Sequence, residues 1–179
     1  MKKYLILFFI CISCDDGGVV ENTEGVLGYS VYGNCDLYQK IPLIIDPDFT
    51  DDQIDKIRDG ARYWEDAVGI DFGGLPISEN NCSRESGVPG CIIKADKCFK
   101  DDGAPYPEIF IYMNIIIEGN YPLDKIVAHE IGHYIGLVHV KDTQSIMYYA
   151  VGGGETEKYQ ISKFDIELYE QVCIYGNLN

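Results

Sequence analysis

All three histidines of this 179-residue chain lie within the segment 129-HEIGHYIGLVH-139. On a helix, residues four apart face the same side, so His129 and His133 can present two imidazole nitrogens to one metal ion. Gly136 follows, and a glycine there can adopt a positive φ, end the helix and bring His139 round as a third ligand. The segment therefore requires a fold in which a helix, a turn and a third histidine meet at one point.

Glu130 stands beside the first histidine without being a ligand. From that position a carboxylate can take a proton from a metal-activated water. Three protein ligands leave one position of a tetrahedral zinc ion open, as in catalytic rather than structural zinc sites. A bare H-E-x-x-H arises by chance in unrelated helices, but the longer H-E-x-x-H-x-x-G-x-x-H has a random expectation of about one in ten thousand or less. The motif therefore predicts zinc-dependent hydrolysis.

The chain resembles the metzincin metallopeptidases, which are named for this zinc motif and for a methionine turn beneath it. The positions that match the zinc-binding consensus are His129, Glu130, His133, Gly136 and His139. Met147 matches the turn methionine at a spacing similar to that of matrixins, and the resemblance implies a hydrophobic base that does not bind zinc. Tyr149 stands where astacins and serralysins carry a tyrosine and matrixins usually carry proline.

The resemblance implies an endopeptidase that hydrolyses peptide bonds of extracytoplasmic proteins with one catalytic zinc ion. Glu130 is expected to act as general base, and Tyr149 to donate a hydrogen bond to the oxyanion. A peptide would lie extended along an edge strand, beside a wall formed by residues 150–158. Two alternatives stay open, namely a membrane-anchored zinc-binding interaction module that has lost peptidase activity and a small-molecule metallohydrolase.

Residues 41–69 predict a strand followed by a helix. The run 41-IPLIID-46 suits a buried strand, and 50-TDDQ-53 matches a capping box. The apolar face of the helix recurs at three- and four-residue steps and consists of Ile54, Ile57, Ala61, Trp64 and Val68. Gly69 can end the helix. The acids of 46-DPDFTDD-52 leave room for a structural calcium ion, but acids are usual in a first helical turn and favour the cap.

The later segments complete an α+β class. The runs 91-CIIKADKC-98 and 108-EIFIYMNIII-117 predict strands, and a helix is expected from about Leu123 into the histidines. A second capping box, 162-SKFD-165, predicts a closing helix. The buried stripe expected on that helix consists of Ile166, Tyr169 and Val172 or Cys173. With the resemblance, this order implies a metzincin-like zincin. Its sheet would be twisted and mainly parallel with an antiparallel edge strand, packed on long helices with an active-site helix and a Met-turn.

The N-terminus predicts export. Lys2 and Lys3 precede the apolar run 4-YLILFFICI-12, which is too short for an ordinary membrane-spanning helix. The end of this run, 11-CISC-14, resembles a bacterial lipoprotein box, which would make Cys14 the lipidated residue. The chain is then divided into a signal peptide (1–13), a lipid-anchored tether (14–34) and a catalytic domain (35–179). We expect a cell-envelope lipoprotein facing the periplasm or the cell exterior, with secretion as the alternative.

Charge and cysteine content limit the partners. The formal net charge of −15 would repel nucleic acid, so we expect peptide or protein substrates and a membrane contact through the lipid on Cys14. Beyond Cys14, the cysteines available in an oxidising compartment are Cys35, Cys82, Cys91, Cys98 and Cys173. These five allow two disulfides and one thiol, with the connectivity open.

Overall fold

A computed structural model describes residues 41–79, 90–95, 108–113, 116–117, 121–137, 139–148 and 160–176. The predicted signal peptide, the tether with Cys14, and Tyr149 lie outside these residues, as do Cys35, Cys82 and Cys98. The helices and strands are β1 (Ile44–Ile45), α1 (Asp51–Val68), β2 (Cys91–Ala95), β3 (Glu108–Tyr112), α2 (Leu123–Tyr134) and α3 (Lys163–Gly176). The predicted α+β class is confirmed.

The strands form one parallel sheet in the order β1–β2–β3. Ile44 lies opposite Cys91, and Ile92 lies opposite Ile109. Parallel neighbours need a crossover connection, and α1 lies in the one between β1 and β2. A mainly parallel sheet is thus confirmed. The described strands include no antiparallel edge strand, but residues 96–107 lie outside the described ranges, and that strand stays a prediction.

The strands are shorter than the apolar runs that predicted them. At the start of 41-IPLIID-46, Ile41 and Leu43 donate backbone hydrogen bonds to Asp71 and Phe72, so this part is extended chain beside a loop. At the other end of the sheet, β3 stops at Tyr112 although the apolar run continues to residue 117. The run stays apolar because Met113 and Ile116 are buried in the core, not because the strand continues.

Helix α1 has the predicted ends and the predicted apolar face. Thr50 Oγ accepts a hydrogen bond from the backbone of Gln53, whose side chain accepts one from the backbone of Thr50. At the other end Gly69 has φ 75° and donates its N–H to Glu65. The predicted face is buried at Ile54, Ile57, Ala61 and Trp64, with Val68 partly buried against the core. Local chemistry therefore sets both ends of this helix, and its apolar stripe decides which face is buried.

Helix α2 packs across α1 at short range. Gly60 of α1 permits this, because a Cβ there would overlap the carbonyl oxygen of Asp124. The Trp64 indole N–H donates to the carbonyl oxygen of Ala128 at 2.7 Å, and Tyr63 donates its hydroxyl to Asp124 at 2.6 Å. These contacts fix the position of α2 immediately before its first histidine.

Helix α3 begins with the predicted capping box. Ser162 N–H donates to Asp165 Oδ2 at 2.7 Å, and Asp165 N–H donates to Ser162 Oγ at 3.2 Å. The predicted buried stripe is confirmed at Val172 but was wrong by one position at Ile166 and Tyr169. The fully buried face consists of Asp165, Leu168 and Val172, whereas Ile166, Tyr169 and Cys173 are only half-buried. The helix is turned this way because the carboxylate of Asp165 is itself buried and hydrogen-bonded. Within the described ranges, no helix combines the length and the apolar character needed to span a membrane.

Candidate metal centre

The predicted turn after the second histidine is present. Helix α2 ends at Tyr134, and Gly136 adopts φ 101°. The backbone N–H of Gly136 donates to the carbonyl oxygen of His133, and that of Leu137 donates to the carbonyl oxygen of Gly132, both at 2.9 Å. A positive φ of this size is readily available only to glycine. The chain can therefore leave the helix within one turn and place His139 opposite the two helical histidines.

The three imidazoles converge on one point. Nε2 of His139 lies 3.1 Å from Nε2 of His129 and 3.1 Å from Nε2 of His133. A tetrahedral zinc ion with Zn–N bonds of about 2.0–2.1 Å would hold its nitrogens about 3.3 Å apart. The metal-ligating atoms of all three residues lie within 4.8 Å of one another. The cluster therefore fits a single zinc ion without rearrangement of the backbone.

Backbone carbonyl oxygens hold the imidazoles of His129 and His133 at Nδ1, on the side of each ring away from the cluster. Nδ1 of His129 lies 2.7 Å from the carbonyl oxygen of Ile146, and Nδ1 of His133 lies 2.9 Å from that of Leu137. A carbonyl oxygen can only accept, so each Nδ1 carries the proton and each Nε2 keeps a lone pair for a metal. The hydrogen bonds therefore select the tautomer that a zinc ligand requires.

Burial keeps these imidazoles uncharged. It lowers the pKa of His133 to about 4, helped by the neighbouring His139 and opposed by the Leu137 carbonyl. The pKa of His129, which is fully buried, is lowered well below its usual value by desolvation and by the two other imidazoles. Burial also lowers the pKa of His139. At neutral pH the site thus offers three uncharged imidazoles, and those of His129 and His133 present unprotonated Nε2 atoms to a metal.

Glu130 follows His129 on α2 and is half-buried. Burial raises the pKa of its carboxyl group well above the usual value. A carboxylate whose pKa is raised by burial is a stronger base than an exposed one. Glu130 thus places a carboxyl group of raised pKa directly after a clustered histidine in the chain, and its role as general base stays a prediction.

Met147 lies in a turn that packs against α2 between the two helical histidines. The residue is fully buried, and a Cβ on Gly132 would overlap its sulfur atom. Its carbonyl oxygen accepts from Val140 N–H and its N–H donates to Ser145 Oγ, both at 2.9 Å. The thioether is packed against the helix, in keeping with the hydrophobic base expected from the resemblance. Tyr149 and residues 150–158 lie outside the described residues, so their predicted roles stay predictions.

Sequence reasoning missed the residues that support the cluster from outside the motif. Asp165 was interpreted only as part of a capping box, yet its carboxylate also accepts hydrogen bonds from Ser145 and Ile146 in the methionine turn. Trp64 was interpreted as core, yet it also bonds the carbonyl of Ala128. No sequence signal pointed to either contact, since both join segments that are distant along the chain.

The parallel sheet, the backing helix α1 and the three-histidine cluster on and after α2 define a metzincin-type zinc hydrolase. The sequence model of the matrixin family matches residues 7–176, and the chain belongs to that family of zinc metallopeptidases. A search of curated proteins finds no match to the chain. The match begins inside the predicted signal peptide, and the predicted domain boundaries stay predictions.

The role of the turn at Gly136 in placing His139, the third ligand, can be tested by substitution. Gly136→Ala introduces a side chain at φ 101°, a strain of about 1–3 kcal/mol that the chain can relieve by moving His139. We expect zinc affinity to fall by about tenfold, since 1.4 kcal/mol corresponds to that factor. Equilibrium competition with a coloured chelator measures this.

Gly74→Ala is the matched control. Gly74 also has a positive φ, 74°, but a Cβ there would meet nothing within 4 Å. This variant should lose stability in thermal unfolding while keeping the wild-type zinc affinity. Equal zinc affinity in the two variants would show that Gly136 does not place the third ligand.

Proposed function

We propose that this chain is a zinc endopeptidase that cleaves extracytoplasmic proteins, with His129, His133 and His139 holding one zinc ion. The observation that carries the proposal is the convergence of three neutral Nε2 atoms, with Glu130 beside them. Membership of the matrixin family supports the same chemistry. That membership also supports peptide or protein substrates.

In the proposed mechanism, Glu130 is the proton carrier. A zinc ion in the site supplies Lewis acidity, which polarises the scissile carbonyl and lowers the pKa of water. Glu130 takes a proton from the water that attacks the carbonyl carbon, and then delivers it to the amine nitrogen as the C–N bond breaks. No covalent intermediate with the protein forms. The half-buried position of Glu130 favours this role, because burial makes its carboxylate more basic.

The first test separates proton transfer from metal binding. Glu130→Gln should retain one zinc per chain and lower kcat by about 10²- to 10⁴-fold, because the amide cannot carry the proton. His133→Ala should lose zinc and activity together, since it removes a ligand. Metal content by mass spectrometry and hydrolysis of a peptide library measure both effects. Glu170→Gln, an exposed change on α3, is the matched control and should match the wild type.

The same experiment separates the alternatives. An interaction module that has lost peptidase activity would bind zinc and cleave no peptide in the wild type. A small-molecule metallohydrolase would leave the peptide library intact and hydrolyse small ester or amide substrates in a chelator-sensitive way. Undiminished peptide cleavage by Glu130→Gln would remove the assigned role of the carboxyl group.

Tyr149 is the proposed oxyanion donor. The proposal is supported by its neighbour in the chain, Tyr148, which pairs with Val140 next to His139. Tyr149→Phe should lower kcat by about tenfold with little change in KM, since the hydroxyl would contact the transition state more strongly than the substrate. Tyr169→Phe on α3 is the control and should leave kcat unchanged. A Tyr149→Phe enzyme with wild-type kcat would make the residue structural.

We also propose that the protein is exported and anchored by a lipid on Cys14. The signal-like segment 1–13 and the lipoprotein-box pattern 11-CISC-14 support this, as does the number of cysteines. Of these, Cys91 and Cys173 are disulfide-bonded, which fits an oxidising compartment. The alternative is a secreted protein that is released by a general signal peptidase.

Lipidation has a direct test. In a bacterial host fed an alkyne fatty acid, the full chain should become labelled and sediment with membranes, whereas Cys14→Ser should do neither. Cys11→Leu is the matched control, because it removes the neighbouring cysteine and restores the residue usual in the lipoprotein box. Its labelling should equal or exceed that of the wild type. Equal labelling of Cys14→Ser and the wild type would place the lipid elsewhere, and an unlabelled wild type would favour secretion.

A further inference from the structure

Asp165 lies in the first turn of α3 with no exposed surface. Its Oδ2 accepts hydrogen bonds from Ser162 N–H at 2.7 Å, Ser162 Oγ at 2.7 Å and Ile146 N–H at 3.1 Å. Its Oδ1 accepts a hydrogen bond from Ser145 Oγ. A buried carboxylate is costly unless its lone pairs are satisfied, and here four donors satisfy them. A helix cap alone needs only the contacts with Ser162.

Of the two contacts outside the cap, the one with Ser145 connects Asp165 to the proposed zinc ligand His129. Ser145 Oγ donates to Asp165 and accepts from Met147 N–H at 2.9 Å. That N–H belongs to the peptide group between Ile146 and Met147, and the carbonyl oxygen of the same group accepts from Nδ1 of His129 at 2.7 Å. Each donor in this series points toward Asp165. The hydrogen bonds therefore run in one direction from the imidazole, through one amide and one hydroxyl, to the carboxylate.

We infer that Asp165 is a positioning residue for His129, acting through Ser145 and the Ile146–Met147 peptide group. In many metal sites a carboxylate bonds directly to the second nitrogen of a ligating histidine, where it fixes the ring and makes the ligand more basic. Here an amide and a hydroxyl stand between the two groups. Hydrogen bonds in series polarise one another, so the charge can act across this distance. The inference rests on the proposed zinc site.

His133 provides an internal comparison. Its Nδ1 bonds to the carbonyl of Leu137, four residues further along the chain. That acceptor belongs to the turn after α2 and does not depend on α3. His129 instead takes its acceptor from a segment 17 residues away. Asp165 therefore acts on one of the two helical ligands and connects the C-terminal helix to the metal centre.

A purely structural role for Asp165 leads to different expectations from a role in positioning His129. Two serines distinguish these two roles. Ser145 and Ser162 each donate a hydroxyl hydrogen bond to the carboxylate of Asp165. Ser145→Ala interrupts the series that ends at His129 and leaves the cap of α3 in place. Ser162→Ala removes the side-chain half of the cap and leaves the series in place. The two variants thus form a matched pair with the same chemical change.

The test uses the full chain loaded with cobalt(II), whose visible spectrum reports the ligand geometry, and follows transfer of the metal to a chelator. We expect Ser145→Ala and Asp165→Asn to release metal about 10- to 100-fold faster than the wild type and to show a shifted cobalt spectrum. Ser162→Ala should keep the wild-type rate and spectrum, although its Tm should fall by a few degrees.

Two outcomes would contradict the role of Asp165, and a third would contradict the proposed zinc site instead. Wild-type release from both Ser145→Ala and Asp165→Asn would overturn the inference, as would release rates that follow Tm across all three variants. If Asp165→Asn does not fold, the serine pair decides alone. A wild-type protein that binds neither cobalt nor zinc would instead overturn the proposed zinc site, which is a different failure.

Discussion

The metal centre depends on the hydrogen bond between Nδ1 of His129 and the carbonyl oxygen of Ile146. His129 has no exposed surface, so its ring cannot turn to water for a partner. Without an acceptor, a buried N–H would carry a desolvation penalty of about 1–3 kcal/mol. Residues 140–147 must therefore fold back under α2, and the pairing of Val140 with Met147 and Tyr148 holds them there. One buried donor thus fixes the path of a whole loop.

This path is possible because α2 has no side chain where the loop approaches it. Gly132 lies between the two helical histidines, and its missing Cβ leaves the space that the Met147 sulfur occupies. Trp64 of α1 packs against the same glycine. Side chains from α1 and from the methionine turn thus meet at one turn of α2. A movement of any one of them would be transmitted to the histidines, since close-packed interiors have little free volume to absorb it.

Sequence reasoning succeeded where the interaction is local and failed where it is long-range. The capping box at Thr50, the helix end at Gly69 and the turn at Gly136 each depend on residues within one helical turn, and the structure confirms all three. The predicted orientation of α3 was wrong at Ile166 and Tyr169, because an acid at the third helical position is usually exposed, whereas Asp165 is buried. Nothing near Asp165 in the sequence indicates that its carboxylate reaches a loop 20 residues earlier. Residues that support a site from outside its motif are the ones a single sequence conceals.

The positive charge of the proposed zinc ion makes negatively charged groups connected to the histidine cluster favourable. Three neutral imidazoles bring no negative charge to a dication, and burial penalises an uncompensated ion. Two acidic residues are connected to the cluster, Glu130 as the chain neighbour of His129 on α2 and Asp165 at the end of the hydrogen-bonded series. Neither needs to bind the metal to lower its electrostatic cost. Glu130 is the residue proposed for proton transfer, whereas the carboxylate of Asp165 is held in place by its buried, fully hydrogen-bonded position.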